Sequence, residues 1–215
     1  MVATLAKDSS QTVSSTDISP TEGLLVRILD RGEVQTLEYS GAMSEHKSSL
    51  WWGTAVGYRA MQMAAIGMST QGLWSRENLY IVSGHPGPGV LDSIDHVTHC
   101  RQNDRLHVVQ NPQCQNKCNS AMKFDWWVSD GEKTIVVRLR PDFVGRDFYE
   151  LADRLGPNAT PEDRKEFEVS KVTLSTRIWN GPLEENFKIE PWPKVLQPGE
   201  LPEDEGLKAL MTHGL

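Results

Sequence analysis

Leu79 to Cys100 reads LYIVSGHPGPGVLDSIDHVTHC, and the fold is decided by how this stretch is divided. Leu79–Ser83 is short, apolar and rich in β-branched residues, the pattern of a buried strand. Gly84-His85-Pro86-Gly87-Pro88-Gly89 then breaks regular structure. Glycines such as Gly87 and Gly89 let backbone come close to a ligand, and the prolines fix the path of the loop. From Val90 to Cys100 the spacing turns helical, with Val90, Leu91, Ile94 and Val97 apolar. A strand, a glycine-rich corner and a helix are a common way to build a small-molecule site in an α/β protein.

The polar residues of that helix are rich in metal-ligand types. Positions three or four apart share a helix face, which makes Asp92/His96, Asp95/His99, His96/His99 and His96/Cys100 neighbours. Imidazole, carboxylate and thiolate are the usual ligands of zinc and related ions. His85, in the loop before the helix, can come back over its first turn. The bland alternative is that Asp92 and Asp95 favour the positive end of the helix, with the histidines belonging to surface or core.

Working outward, 215 residues suffice for one sizeable core. A formal charge of −7 and a pI near 5.4 argue against a nucleic-acid surface, which carries a basic stripe. No apolar run reaches the length of a membrane span, and the start MVATLAKDSSQTVSSTD lacks the regions of a secretory signal. Three cysteines are too few for a disulfide scaffold, so reduced thiols in a cytoplasm are the default. Asn158-Ala159-Thr160 matches a glycosylation acceptor and is read as chance. Seven tryptophans include two pairs, Trp51-Trp52 and Trp126-Trp127.

In chain order, residues 1–20 are Ser/Thr-rich and predict a mobile tail or an arm that packs on another subunit. Gly23–Leu29 and Val34–Tyr39 predict strands joined by a turn at Asp30-Arg31-Gly32. Leu50–Met68, capped by Ser48 or Ser49, predicts a central helix with a small-residue surface. Glu45, His46 and Lys47 precede it, where free backbone N–H groups attract anions. Leu106–Val109 predicts a strand, and Gln110–Ser120 a polar loop holding Cys114 and Cys118, which lack the second pair a zinc ribbon needs. Lys123–Val128 and Thr134–Leu139 predict a hairpin around Asp130-Gly131. Alternation there sends one of Trp126 and Trp127 to the core and the other to solvent, a ligand or a partner. Asp142 is placed to cap a helix from Val144 to Leu155, and Thr160 to cap one running to about Trp179. Beyond residue 180 the chain is Pro- and Glu-rich, with a short helix predicted only at Gly206–Met211. The expected organisation is an arm over 1–20, one domain over 21–180 and an extension over 181–215. The expected class is α/β: a mixed sheet packed with a buried central helix and further helices.

The order of motifs resembles the FmdE-like family of formylmethanofuran dehydrogenase proteins over roughly residues 40–145. The matching residues are Gly53-Thr54-Ala55-Val56-Gly57-Tyr58-Arg59 and Asp92-Ser93-Ile94-Asp95-His96-Val97-Thr98-His99-Cys100. The aromatic hairpin from Phe124 to Leu139 follows them. Family members carry an H-G-H-x-C-P-G segment before the first helix, and a cysteine three residues before the Asp of the second motif. Some also have a C-terminal zinc ribbon. Here Trp51 and Gly89 stand at the two cysteine places, His46 lies near the family's histidines without matching their register, and there is no ribbon. The resemblance therefore implies a pocket in the family's place, with the thiolates lost. Imidazole and carboxylate remain, which suit zinc, copper, or non-haem or haem iron.

Three functions follow. The first is a metal- or metallocofactor-dependent protein, holding zinc or iron between the start of the Leu50–Met68 helix and the His85 loop. His46, His85, His96, His99 and Cys100 are its candidate ligands. His46, His85 and Asp92 are its candidate catalytic groups, as ligand, general base or orienting carboxylate. The second is a non-catalytic binder of haem or another planar cofactor. Trp51 and Trp52 would wall its pocket, with Tyr58, Arg59, Gly87 and Gly89 around it. The third is an interaction protein whose tail wraps a second copy in a homodimer. A small-molecule ligand is expected for the first two, and neither nucleic acid nor membrane for any.

Overall fold

The computed structural model describes residues 25–45, 51–69, 73–109, 122–205 and 207, the side chains of Glu45 and Trp51 excepted. The predicted N-terminal arm, the Ser48/Ser49 cap, His46, the Cys114/Cys118 loop and the Gly206–Met211 stretch apart from Leu207 lie outside these residues.

The first hairpin follows from its turn. Strand β1 (Leu25–Asp30) pairs antiparallel with β2 (Glu33–Glu38), Asp30 facing Glu33. The two residues between, Arg31 and Gly32, have φ of 52° and 81°. Positive φ at both central positions is the type I′ geometry, whose twist matches that of the strands. Helix α1 (Tyr39–Glu45) leads on, then α2 (Trp51–Met68), the helix read from the sequence. Strand β3 (Trp74–Ser75) adds parallel to β1, giving a sheet of order β2-β1-β3.

The second sheet carries the candidate site. Its strands are β4 (Tyr80–Ser83), β5 (Leu106–Val108), β6 (Asp125–Ser129), β7 (Thr134–Leu139) and β8 (Phe187–Trp192). Their order is β5-β4-β6-β7-β8, with only β4 and β5 parallel. Helix α3 (Pro88–Thr98) follows β4. After β7 come α4 (Arg146–Arg154), α5 (Pro161–Asn180) and the short α6 (Leu183–Asn186). Two mixed sheets and six helices among the described residues make this the mixed α/β class that the sequence predicts.

α2 is buried around most of its circumference, as its all-round apolar pattern requires. It packs on α3, and glycines set the closeness of that contact. A Cβ at Gly57 would stand 2.9 Å from the Val90 Cα, and one at Gly89 would stand 2.8 Å from the Thr54 nitrogen. Ser93 Oγ donates to Thr54 O across the same contact (2.9 Å). α5 starts where predicted: Thr160 Oγ1 accepts from Asp163 N–H while Asp163 Oδ2 accepts from Thr160 N–H, a closed capping box.

Four expectations need correction. α3 runs from Pro88 and ends at Thr98, so His99 and Cys100 lie beyond it. The Asp95 carboxylate stops the helix by accepting from Arg101 N–H and Gln102 N–H, and His99 turns the chain at φ 55°. The N-cap of α4 is Gly145, not Asp142. Trp126 and Trp127 do take opposite faces, but both are 0% exposed. Trp126 joins the main core with Trp52, Met61 and Ile178, while Trp127 lies in a second core with Tyr80, Val82, Val136, Leu196 and Leu207. Finally, the stretch after residue 180 holds a strand, β8. Pro191 hides it from pattern reading, and a proline is tolerated because β8 is the sheet's edge.

Candidate functional site

His85 sits in the corner between β4 and α3, and its surroundings are built by the corner itself. Ser83 Oγ donates to His85 O (2.9 Å) and accepts from His85 N–H (3.3 Å), closing the turn. Gly87 N–H then donates to His85 Nδ1 (3.0 Å). The imidazole folds back so tightly over Gly87 that a Cβ there would lie 2.6 Å from Cε1. Gly87 is therefore glycine for the sake of the histidine ring.

The ring is 2% exposed and packs on Phe124, centroid to centroid 4.6 Å. Trp52, from the first turn of α2, stacks on Phe143 at 5.8 Å with planes 2° apart, and lies 6.0 Å from the other side of the cluster at Phe124. Three ring nitrogens around Phe124, those of His85 (Nε2), Trp52 (Nε1) and Trp126 (Nε1), are buried without a hydrogen-bond partner among the described residues. An unpaired buried donor costs about 1–3 kcal/mol, so three such nitrogens around one phenyl ring single out this cluster as the candidate site. Burial holds His85 down to about 4, neutral at physiological pH.

The tautomer follows from the loop. Because Nδ1 accepts the Gly87 N–H, the single proton of the neutral ring sits on Nε2. His85 thus presents a donor to its surroundings. A metal ion or haem iron bound at Nε2 would need the lone pair there. It would move the proton to Nδ1, against the Gly87 N–H, whereas ligating histidines donate from their other nitrogen to an acceptor. Zinc, iron or haem on His85 does not fit this loop. Among the described residues no three His, Cys, Asp or Glu side chains form a metal-holding group.

The predicted residues of α3 and of the turn after it have other contacts. Asp92 pairs with Arg101 (2.9 Å), and Asp95 caps the turn after α3, so the described contacts do not show either orienting a histidine. His96 packs against α1, where a Cβ at Gly41 would meet its Cε1 at 2.6 Å. His99 lines a separate cavity of ≈ 470 Å³ with Asp30, Arg76 and Arg105. The Cys100 Sγ donates to Leu79 O (3.6 Å), and burial pushes its thiol up to about 12. His99 and Cys100 lie past the end of α3, the helix expected to present them on one face with His96.

Tyr58 and Arg59, expected at a cofactor, fasten the core. Tyr58 Oη donates to Leu37 O (2.7 Å), and burial raises its pKa. Arg59 Nε donates to Ile178 O (3.2 Å) and Nη2 to Gly181 O (2.7 Å), gripping the C-terminal end of α5. Gly89 is occupied by the approach of α2. His46 and the Trp51 side chain lie outside the description. So of the predicted set, the described structure brings together His85, Gly87 and Trp52.

Sequence reading missed Phe124 and Phe143, which complete the cluster, and the cavity beyond Phe124. That cavity, ≈ 580 Å³, is lined from β6, β7, β8 and α4, with Lys123, Arg138, Arg140 and Lys188 around it. No local pattern announces it, because its residues come from four separated segments. Scanned against protein-family models, the chain matches none, and no curated protein matches it.

Proposed function

We propose that the chain is a small-molecule-binding protein of FmdE-like type, in which His85 donates a hydrogen bond to an oxygen acceptor of a planar ligand. The observation that carries this reading is the buried, neutral imidazole whose Nε2–H has no partner among the described residues. The indole N–H of Trp52 beside the same phenyl ring, also unpartnered among the described residues, supplies a second donor. Aromatic walls suit a flat ligand. Binding is favoured over catalysis because, among the described residues, Asp92 is held by Arg101 and Cys100 is a buried thiol.

Two measurements test this. Long-range ¹⁵N–¹H correlation of the imidazoles should show His85 in the Nε2–H form from about pH 5 to 8, unchanged on adding zinc. Organic extracts of purified wild type and of a folded His85→Phe variant, compared by mass spectrometry, should differ by one small molecule. Stoichiometric zinc, iron or haem that leaves with the histidine would overturn the reading in favour of a metal site completed by His46.

A further inference from the structure

The cavity beyond Phe124 has a chemistry of its own, independent of His85. It lies between the ends of β6 and β7, the neighbouring part of β8, and α4. Phe124, Leu139, Val144 and Tyr149 give it an apolar wall. Its volume, ≈ 580 Å³, falls within the range of sites that hold drug-sized molecules.

The charges around the rim are not equivalent. Arg138 meets Asp125 (2.8 Å), Asp204 (3.0 Å) and Glu190 (3.4 Å), so three carboxylates are committed to one guanidinium. Lys188 meets Glu190 (2.8 Å). Lys123 and Arg140 form no close ion pair among the described residues, although the Lys123 charge acts on Asp125 two residues on; Arg140 Nη2 donates to the Glu184 carbonyl (2.9 Å). Two cations outside any close ion pair among the described residues thus flank an apolar wall on a chain whose formal charge is −7. In a cleft with low-dielectric walls such cations concentrate anions locally, whatever the sign of the whole molecule.

We infer that this cavity binds an amphipathic organic anion, its apolar or aromatic body against Phe124, Val144 and Tyr149 and its carboxylate or phosphate on Lys123 and Arg140. The proposal goes beyond the His85 reading and uses different residues. Calorimetric titration with phenyl phosphate, phenylacetate and neutral phenylacetamide is the test. Both anions should bind saturably, at least about tenfold more tightly than the amide, and more weakly as salt is added. Comparing the two anions, with inorganic phosphate as a third arm, tells a phosphate ligand from a carboxylate one. The double variant Lys123→Gln/Arg140→Gln should lose about tenfold or more in affinity, while Lys188→Gln, whose cation is spent on Glu190, should change it less than about twofold. Unfolding midpoints of both variants, expected at the wild-type value, separate lost binding from lost fold. Equal binding of the amide, full affinity in the folded double variant, or no saturable anion binding would each overturn the proposal.

Discussion

His85 shows how a single residue ties fold stability to the proposed site. Its ordinary value is 6.5, and in the fold burial takes it to about 4. The unfolded chain therefore takes up a proton as pH falls through about 6.5, and the folded chain does not until about 4. Between these values the unfolded state binds more protons, so stability declines with falling pH; above about 7 this group makes no difference. The full decline is about 3 kcal/mol. Urea unfolding of wild type and His85→Phe at steps from pH 7.5 to 4.5 should give curves that diverge in slope across this window. Parallel curves would show that the ring is not buried neutral. The sequence singled out His85 and Trp52 because loops with glycine and paired indoles are rare patterns. It could not tell Tyr58 and Arg59 from ligand-binding residues, since spacing does not reveal that their polar atoms are spent on the carbonyls of Leu37, Ile178 and Gly181.

At the scale of elements, the contact of α2 with α3 holds the corner of His85 in place. The sequence offered Gly53 and Gly57 as equal parts of one small-residue surface, but the structure separates them. A Cβ at Gly53 meets Gly89 Cα at 3.5 Å, an ordinary contact, while one at Gly57 meets Val90 Cα and O at 2.9 Å, both backbone. Gly53→Ala should be neutral or stabilise by roughly 0.5 kcal/mol through helix propensity. Gly57→Ala must push the helices apart and should cost about 1–3 kcal/mol. Chemical denaturation of the two variants checks the pair; equal effects would mean that the helices do not touch at Gly57. Turns and the Thr160 cap were the legible part of the elements. Asp30-Arg31-Gly32, Asp130-Gly131 and the Thr160 box carry their geometry in residue type. The end of α3 was not legible, because Asp95 acts there through backbone groups six and seven residues later.

For the whole molecule, the question is what the Pro- and Glu-rich stretch after residue 180 does. Its composition reads as an extension, yet Phe187 enters the main core and β8 pairs with β7 over six residues. Beyond β8 the chain crosses the outer face of the sheet. Leu196 and Leu207 cover Trp127, Leu196 N–H donates to Thr134 Oγ1 (2.9 Å), and the Tyr80 hydroxyl donates to Glu200 O (2.8 Å). The Asp204 carboxylate meets Arg138, whose guanidinium lies 5.6 Å from the centre of the Trp127 ring. Two truncations separate these layers. A chain ending at Pro193 keeps β8 and loses the cover. Each lost leucine is worth about 1.5–3 kcal/mol of burial, so it should still unfold cooperatively but at a lower midpoint. Its tryptophan emission should shift to the red and become open to acrylamide as Trp127 meets water. A chain ending at Asn180 also loses β8, leaving β7 as a bare edge with Trp127, Val136 and Tyr80 uncovered. It should bind 8-anilinonaphthalene-1-sulfonate, lose near-ultraviolet tryptophan ellipticity and show no cooperative transition. If that shorter chain melted at the wild-type midpoint, the five-stranded sheet would not depend on its edge, and the second core would contribute nothing to the fold.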